Sequence, residues 1–370
     1  MNDDRKTPPR RSAGMKRMAR AIWYAGPGQV EVHSAPLRLP GPDEAVVRTL
    51  FTGISRGTER LVLGGLVGAS EWSRMTAPLQ EGQFPFPVKY GYCAVGVVEA
   101  GPDEWRGRKV FCLHPHQDCF VAPLTMLTPL PDGVPPRRAT LAANMETALN
   151  ALWDSGAGPA DRIVVVGAGV LGLLVAYLAA RLPASDVTVV DVADERRAIV
   201  ESLGARFDTA ADASLGADVV FHTSVSAAGL NTAIACAGRE GTIVELSWYG
   251  DRDVAVQLGG AFHSQRLKLI SSQVGQISPG RRPRWDYARR MQAALRLLDD
   301  ARLDQLVAET IEFEDAATAL PRLLGPDARG LVPVIRYGAR PTSTRSAKDR
   351  PTDETPTSHL PSQPAQSKGD

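Results

Sequence analysis

The chain has 370 residues, with 42 Lys and Arg against 41 Asp and Glu and a formal net charge of +1. This balance argues against a basic surface for nucleic acid or an anionic membrane, so we expect neither partner. The length is typical of two domains. Four scattered cysteines without a C-x-x-C pair argue against a disulfide framework and favour a reducing, cytoplasmic compartment.

Both ends of the chain are rich in polar and charged residues. Residues 1–18 are basic and lack the apolar stretch of a secretory signal, while residues 339–370 are mainly Pro, Ser, Thr and charged side chains. No apolar run is long enough for a transmembrane helix. We therefore predict a disordered extension over 1–18 and a disordered tail over 339–370.

From Arg20 to about Pro131, short apolar runs are broken by Gly and Pro. The runs at 45–50, 94–98 and 109–113 are typical of strands. Strands this short, separated by turn residues, indicate an irregular β-barrel rather than an α/β layer. 

Two histidines, His114 and His116, stand at alternate positions after the last of these runs. They resemble a pair of metal ligands, but no third ligand lies nearby in the sequence. We therefore expect them at the surface or at a domain edge.

The pattern changes after Pro135, where strands and helices alternate. Apolar strands are predicted at 162–166, 187–190, 217–221, 242–246 and 267–271, and helices at 138–153, 170–181, 194–203, 226–238 and 284–300. Apolar strands separated by helices are typical of a parallel sheet covered on both faces. A last strand at 331–335 contains Pro333, which cannot donate to a ladder, so we expect this strand at a sheet edge.

A glycine-rich turn follows the first of these strands, with the sequence Gly167-Ala168-Gly169-Val170-Leu171-Gly172. Between a strand and a helix, this pattern binds the pyrophosphate of a dinucleotide. Gly167 permits the turn, Gly169 lets the backbone approach the phosphates, and Gly172 allows close packing. The helix start at Val170 and Leu171 supplies N–H donors. The alternative is a glycine turn that packs a helix without any ligand.

Asp191 ends the second strand of this predicted sheet. Its distance in the sequence from Gly172 is about the 20 residues expected for an acid that accepts hydrogen bonds from the adenosine ribose. A carboxylate there would repel a 2′-phosphate, so NAD is the predicted cofactor. Arg196 and Arg197 follow shortly afterwards and could neutralise such a phosphate. NADP therefore stays open as an alternative.

Together with Gly53–Glu59, Gly91–Val98 and Ser202–Ala205, these motifs make the chain resemble the medium-chain dehydrogenase/reductase superfamily, which includes zinc alcohol dehydrogenases and metal-free relatives. The motifs Gly53–Glu59 and Gly91-Tyr92 are also similar to those of bacteriochlorophyllide side-chain dehydrogenases.

The resemblance implies a Rossmann dinucleotide-binding domain (141–285) inserted into a chaperonin-10-like irregular β-barrel catalytic domain (19–140 and 286–338). It also implies a cleft for a small-molecule substrate between the two, and a homo-oligomer, either a dimer or a tetramer.

The positions that hold catalytic zinc in this superfamily are altered. Where zinc-binding members carry Cys-Gly-Thr-Asp, this chain has Arg56-Gly57-Thr58-Glu59, and where they carry Gly-His-Glu it has Gly91-Tyr92-Cys93. The third ligand position falls near Glu146. A guanidinium has no lone pair to offer a metal, so we expect no zinc and no metal site.

Without zinc, fixed donors must stabilise the charge that develops on the substrate oxygen. The resemblance and the residue chemistry suggest four catalytic residues. Arg56 would be an electrophile, Thr58 a proton relay and Tyr92 a proton donor, and Glu146 is the fourth. Each has a structural alternative. Arg56 could pair with Glu59 or Glu146, Thr58 could cap a helix, Tyr92 could pack under the nicotinamide, and Glu146 could be a first-turn helix charge.

The leading hypothesis is an NAD(P)-dependent alcohol or ketone dehydrogenase without catalytic zinc. One alternative is a quinone or enoyl reductase that uses NADPH, against which Asp191 counts. Another is a non-catalytic sensor, which would bind NADH without oxidising it. Trp248 lies where the superfamily lines its cleft, and it could stack on an aromatic substrate or only close the sheet edge.

Overall fold

The computed structural model describes residues 17–209 and 216–338. The tail predicted over 339–370 and most of the predicted extension lie outside these residues. Strand β1 begins at Met18, which is the last residue of that predicted extension.

The strands are β1 (Met18–Gly26), β2 (Gln29–Pro36), β3 (Glu44–Gly53), β4 (Glu81–Gly82), β5 (Val88–Lys89), β6 (Ala94–Ala100), β7 (Lys109–Cys112), β8 (Cys119–Pro123), β9 (Thr128–Pro129), β10 (Arg162–Val166), β11 (Asp186–Val190), β12 (Arg206–Asp208), β13 (Ala217–His222), β14 (Ala237–Glu245), β15 (Lys268–Ser271), β16 (Val307–Glu312) and β17 (Val332–Arg336). The helices are α1 (Arg56–Leu63), α2 (Trp72–Met75), α3 (Pro136–Ala139), α4 (Ala142–Ser155), α5 (Val170–Ala179), α6 (Arg197–Ser202), α7 (Ala227–Cys236), α8 (Tyr287–Leu297) and α9 (Ala316–Leu323).

Strands β10 to β15 form one six-stranded sheet in the order β12-β11-β10-β13-β14-β15. All of its pairs are parallel. Ile163, Val164 and Val165 in its centre are fully buried because helices cover both faces, which explains the uninterrupted apolar run. This strand order is that of a Rossmann dinucleotide-binding sheet, in which ligands bind at the carboxyl ends of the strands.

The remaining strands form the barrel-like part of the molecule. One sheet has the order β16-β17-β3-β6-β7-β9, with β8 also paired to β3, and a smaller sheet has the order β2-β1-β5-β4. The C-terminal strands β16 and β17 thus join β3 from the first part of the chain, so that the Rossmann sheet is an insertion. The exact domain boundaries stay a prediction.

The prediction that the last strand lies at a sheet edge is wrong, because β17 lies between β16 and β3. Pro333 is tolerated there because the register of β16 shifts between Val307 and Thr310, opposite the proline. Such an irregularity removes the need for an N–H donor at that point. On the other side, the Pro333 carbonyl accepts a hydrogen bond from the Ile54 N–H at 2.9 Å.

Helix α4 connects the two parts of the molecule. Its buried residues Met145, Ala148 and Leu149 belong to one hydrophobic core that extends from Phe111 of the barrel to Val165 of the Rossmann sheet. The predicted helix over 138–153 is divided into α3 and α4. None of the described helices is long and apolar enough to cross a bilayer.

Candidate active site

A cleft of about 820 Å³ opens where the carboxyl ends of the Rossmann strands face the barrel. Its walls include Gly169 after β10, Thr223 after β13 and Ser247 after β14. The four sequence-predicted catalytic residues also line this cleft, namely Arg56, Thr58, Tyr92 and Glu146. Residues 169–172 of the glycine fingerprint line the same cleft.

The fingerprint forms the tight turn that its glycines require. Gly167 has φ +110°, and a Cβ on Gly172 would lie 1.9 Å from the Gly167 carbonyl oxygen. No side chain could therefore occupy position 172 without displacing the backbone. A Cβ on Gly169, by contrast, would meet nothing within 4 Å. The backbone at the start of α5 is therefore open for the approach of a phosphate.

Asp191 lies directly beside this turn. Its Oδ2 accepts a hydrogen bond from the Ala168 N–H at 2.5 Å, and its Oδ1 accepts one from the Ala193 N–H at 2.8 Å. These bonds fix the carboxylate at the end of β11, as expected for an acid that contacts a ribose. The Nη2 of Arg196 donates to the Gly330 carbonyl at 3.2 Å.

Tyr92 and Thr58 form a hydrogen-bonded pair on the barrel side of the cleft. The Tyr92 hydroxyl donates to Thr58 Oγ1 at 3.3 Å. Burial is the main cause that raises the pKa of the Tyr92 phenol well above its usual value. Thr58 does not cap α1, because the N-cap residue is Ser55. The structure thus places two hydroxyls together, one of which is a phenol that keeps its proton.

Arg56 is the first residue of α1, and its guanidinium reaches the segment before β17. It donates to the Leu323 carbonyl at 3.2 Å and to the Gly330 carbonyl at 2.6 Å. Burial, assisted by the neighbouring Arg60 and Arg196, lowers its pKa. The alternative in which Arg56 pairs with Glu59 or Glu146 is wrong, because both carboxylates bind other residues.

Glu146 is buried inside α4, not in its first turn, so the interpretation as a first-turn charge is wrong. Its Oε1 accepts a hydrogen bond from Arg290 Nε at 3.0 Å, and the Arg290 side chain is 2% exposed. Burial raises the pKa of Glu146, although Arg290 opposes this shift. Sequence reasoning missed Arg290, because an arginine within an amphipathic helix such as α8 is normally solvent-exposed.

The donor set at the altered zinc positions does not fit a zinc ion. Arg56 and Tyr92 offer a cation and a protonated phenol, and Glu146 is paired with Arg290. Burial also raises the pKa of the Cys93 thiol, which disfavours the thiolate that zinc requires. Among the residues that the structure describes, no group of three or more His, Cys, Asp or Glu is arranged to hold a metal.

His114 and His116 are buried, so their expected position at the surface is wrong. His114 stacks on Phe120 with ring centroids 3.8 Å apart. His116 lies between Thr52 Oγ1, at 2.7 Å from its Nδ1, and Glu59 Oε2, at 2.9 Å from its Nε2. Glu59 also accepts a hydrogen bond from Tyr24, so this network anchors the first turn of α1, which carries Thr58.

A second buried network supports the Rossmann side of the cleft. His222 at the end of β13 places its Nδ1 2.7 Å from Glu245 Oε2 and its Nε2 2.7 Å from Ser224 Oγ. Glu245 also accepts a hydrogen bond from the Ser247 N–H at 2.7 Å. The loops that follow β13 and β14, including the one with Trp248, are thereby held in place beside the cleft.

Comparisons with known proteins give a consistent class, although no family model matches the chain. An uncharacterised zinc-type alcohol dehydrogenase-like protein of Escherichia coli is 25% identical over 263 residues, which cover 59% of this chain and 74% of that protein. D-xylulose reductase of Morganella morganii is 24% identical over 214 residues, which cover 57% of this chain and only 62% of the reductase. A candidate zinc-binding dehydrogenase of Sinorhizobium meliloti, solved with NADP, has a TM-score of 0.70 at 18% identity, with 87% of this chain and 100% of that chain covered.

The solved structures share the fold of this chain, and its sequence is similar to the zinc-type alcohol dehydrogenase-like proteins of the medium-chain dehydrogenase/reductase superfamily. The relatives are named as alcohol dehydrogenase-like proteins and as a D-xylulose reductase, so the comparisons favour an oxidoreductase of the alcohol dehydrogenase type.

Proposed function

We propose that the chain transfers hydride between NAD(H) and the carbon of an alcohol or carbonyl substrate without a catalytic zinc ion. The observation that carries this proposal is the shared cleft, which is lined both by the glycine fingerprint and by the Thr58–Tyr92 pair. The nicotinamide, when bound, supplies or accepts the hydride. The turn over 167–172 and the start of α5 would hold its pyrophosphate, and Asp191 its adenosine ribose.

The chain's own contribution to the chemistry is a proton at the substrate oxygen. Tyr92 keeps its proton because burial disfavours the phenolate, so its hydroxyl can donate to an oxygen that gains negative charge during reduction. This hydroxyl donates to Thr58 Oγ1 in the structure, and when it turns to a substrate oxygen the Thr58 hydroxyl can donate to the phenol oxygen instead. In the oxidative direction, the pair takes the proton back from the alcohol.

We assign the proton-donor role to Tyr92 rather than to Arg56. The Arg56 guanidinium already donates to the carbonyls of Leu323 and Gly330, and Gly330 lines the cleft. Arg56 is therefore a positioning residue, which ties α1 to the segment before β17. Replacement of Arg56 by Ala is expected to lower the stability of the fold and to weaken cofactor binding. Turnover at saturating cofactor should change less.

We propose NAD rather than NADP because the two arginines that could neutralise a 2′-phosphate are engaged. Arg196 donates to Gly330, and Arg197 donates to Asp194 at 2.8 Å. Asp191 lies at the end of β11, where a carboxylate would repel a 2′-phosphate. The similar structure from Sinorhizobium meliloti was solved with NADP, so the fold alone does not exclude that cofactor.

A Tyr92→Phe variant tests the proposal. We expect it to bind NADH as the wild type does, in a fluorescence titration, and to lose at least about 100-fold in turnover with carbonyl substrates, because general acid catalysis contributes this much. Undiminished turnover would remove Tyr92 from the mechanism. If the wild type binds NADH but never oxidises it with any carbonyl compound, the chain is a sensor and not an enzyme.

A further inference from the structure

The phenol of Tyr90 has no hydrogen-bond partner within the described part of the chain. The side chain is 3% exposed, lines the cleft and packs against other aromatic rings, with Phe84 at 5.8 Å and Tyr92 edge-on at 6.1 Å between ring centroids. Buried polar groups normally have partners, so one without a partner requires an explanation.

The direction of the Tyr90 hydroxyl follows from the rest of the structure. Among the described residues, every side-chain N or O atom that is sealed from solvent has a hydrogen-bond partner. The Tyr90 hydroxyl has none, so it is not sealed and must be reached through the cleft that the side chain lines. The buried hydroxyls of Tyr24 and Tyr337, in contrast, bind Glu59 and Thr52.

Most other polar side chains around the cleft are already engaged with the protein. The hydroxyls of Thr76, Thr147 and Thr223 donate to main-chain carbonyls. The remaining surface is largely apolar, with Met75, Phe111, Met126 and Trp248. Asn144 and Thr125 are among the few polar side chains left to bind a substrate, so a polyol would lose water over the apolar remainder without a partner for each of its hydroxyls.

We propose that Tyr90 is a substrate-positioning residue, whose phenol donates a hydrogen bond to an oxygen of a largely apolar carbonyl compound of the aryl ketone class. This inference rests on the proposed function, because it concerns the substrate of the same cleft. The phenol is a dependable donor, since burial raises the pKa of Tyr90 well above its usual value. Loss of the Tyr90 hydroxyl would leave the substrate oxygen with one hydrogen-bond donor fewer.

The test is a Tyr90→Phe variant assayed with NADH and acetophenone, beside the wild type. We expect kcat/KM to fall about tenfold, mainly through a higher KM, because one lost hydrogen bond has roughly this effect. The thermal midpoint should not fall, because the Tyr90 hydroxyl binds nothing in the protein. Tyr337→Phe is the matched control, since it removes a buried, hydrogen-bonded hydroxyl, and it should lower the midpoint and leave KM unchanged.

Three results would overturn the inference in distinguishable ways. An unchanged KM in Tyr90→Phe would show that Tyr90 does not position the substrate. A wild type that reduces acetophenone more slowly than it oxidises sorbitol with NAD would refute the apolar substrate class and leave hydride transfer intact. Bound NADH with no transfer to or from either compound would refute the proposed function itself, and this inference with it.

Discussion

Replacing Arg290 with Met tests the buried ion pair that joins α8 to α4 beside the cleft. Arg290 donates to Glu146 at 3.0 Å, to Asn150 Oδ1 at 2.7 Å and to the Val274 carbonyl at 2.6 Å. The variant keeps most of the side-chain volume but removes all of these donors. The charge of Glu146 is then left buried without its partner.

The expected loss is about 3–5 kcal/mol in the free energy of unfolding, which is typical when one partner of a buried pair is removed. The double variant Arg290→Met with Glu146→Gln has no buried charge at this site, so it should recover more than half of that loss. Urea denaturation of the wild type, both single variants and the double variant gives the coupling between the two residues.

The loss should also depend on pH. Without Arg290, burial raises the pKa of Glu146 in the folded state further, so the folded protein binds a proton more readily than the unfolded chain does. Stability of Arg290→Met should therefore rise as the pH falls toward the ordinary carboxyl range and decrease again as the pH rises through the folded-state pKa. A loss below about 1 kcal/mol, with no such pH dependence, would refute a buried, charged pair at this position.

Three further predictions concern single side chains. Gly172→Ala should destabilise the fold by about 1–3 kcal/mol and abolish NADH binding, because its Cβ would lie 1.9 Å from the Gly167 carbonyl, whereas Gly158→Ala, with nothing within 4 Å, should retain both stability and NADH binding. Asp191→Asn should lower the dissociation constant of NADPH relative to that of NADH about tenfold. An unchanged ratio of the two constants in a fluorescence titration would argue against a ribose contact. Burial lowers the pKa of His114 from 6.5 to about 3, so the unfolded chain takes up its proton first and stability should fall as the pH drops across this range. His114→Phe should show a weaker fall in an acid denaturation series, and an identical pH dependence would contradict a buried neutral imidazole.

The Rossmann part of the fold could be predicted closely because its signals are local. Strand β10 has the predicted bounds, Arg162–Val166. The turn after it could be predicted because its close backbone packing requires glycine, and the spacing of these glycines is visible in the sequence. Pro333 misled the prediction, because a register shift in the neighbouring strand is not visible in the sequence of β17.

The candidate site was less accessible to sequence reasoning, because its contacts join distant parts of the chain. Arg290 meets Glu146 across 144 residues, and Arg56 meets Gly330 across 274. The burial of Tyr90 depends on the packing of an irregular segment whose sequence has no periodicity. A missing hydrogen-bond partner can be recognised only once the surrounding side chains are in place. The expected dimer or tetramer stays a prediction, which a measurement of the molecular mass in solution by light scattering would test.

The most direct test of zinc-free hydride transfer follows deuterium from NADH labelled at the reactive carbon into acetophenone, with enzyme that has been treated with a strong chelator and assayed for bound metal. We predict deuterium on the carbinol carbon of the product, at the same rate before and after chelation, and no stoichiometric zinc in the active protein. A reaction that stops on chelation and resumes on addition of zinc would contradict the account.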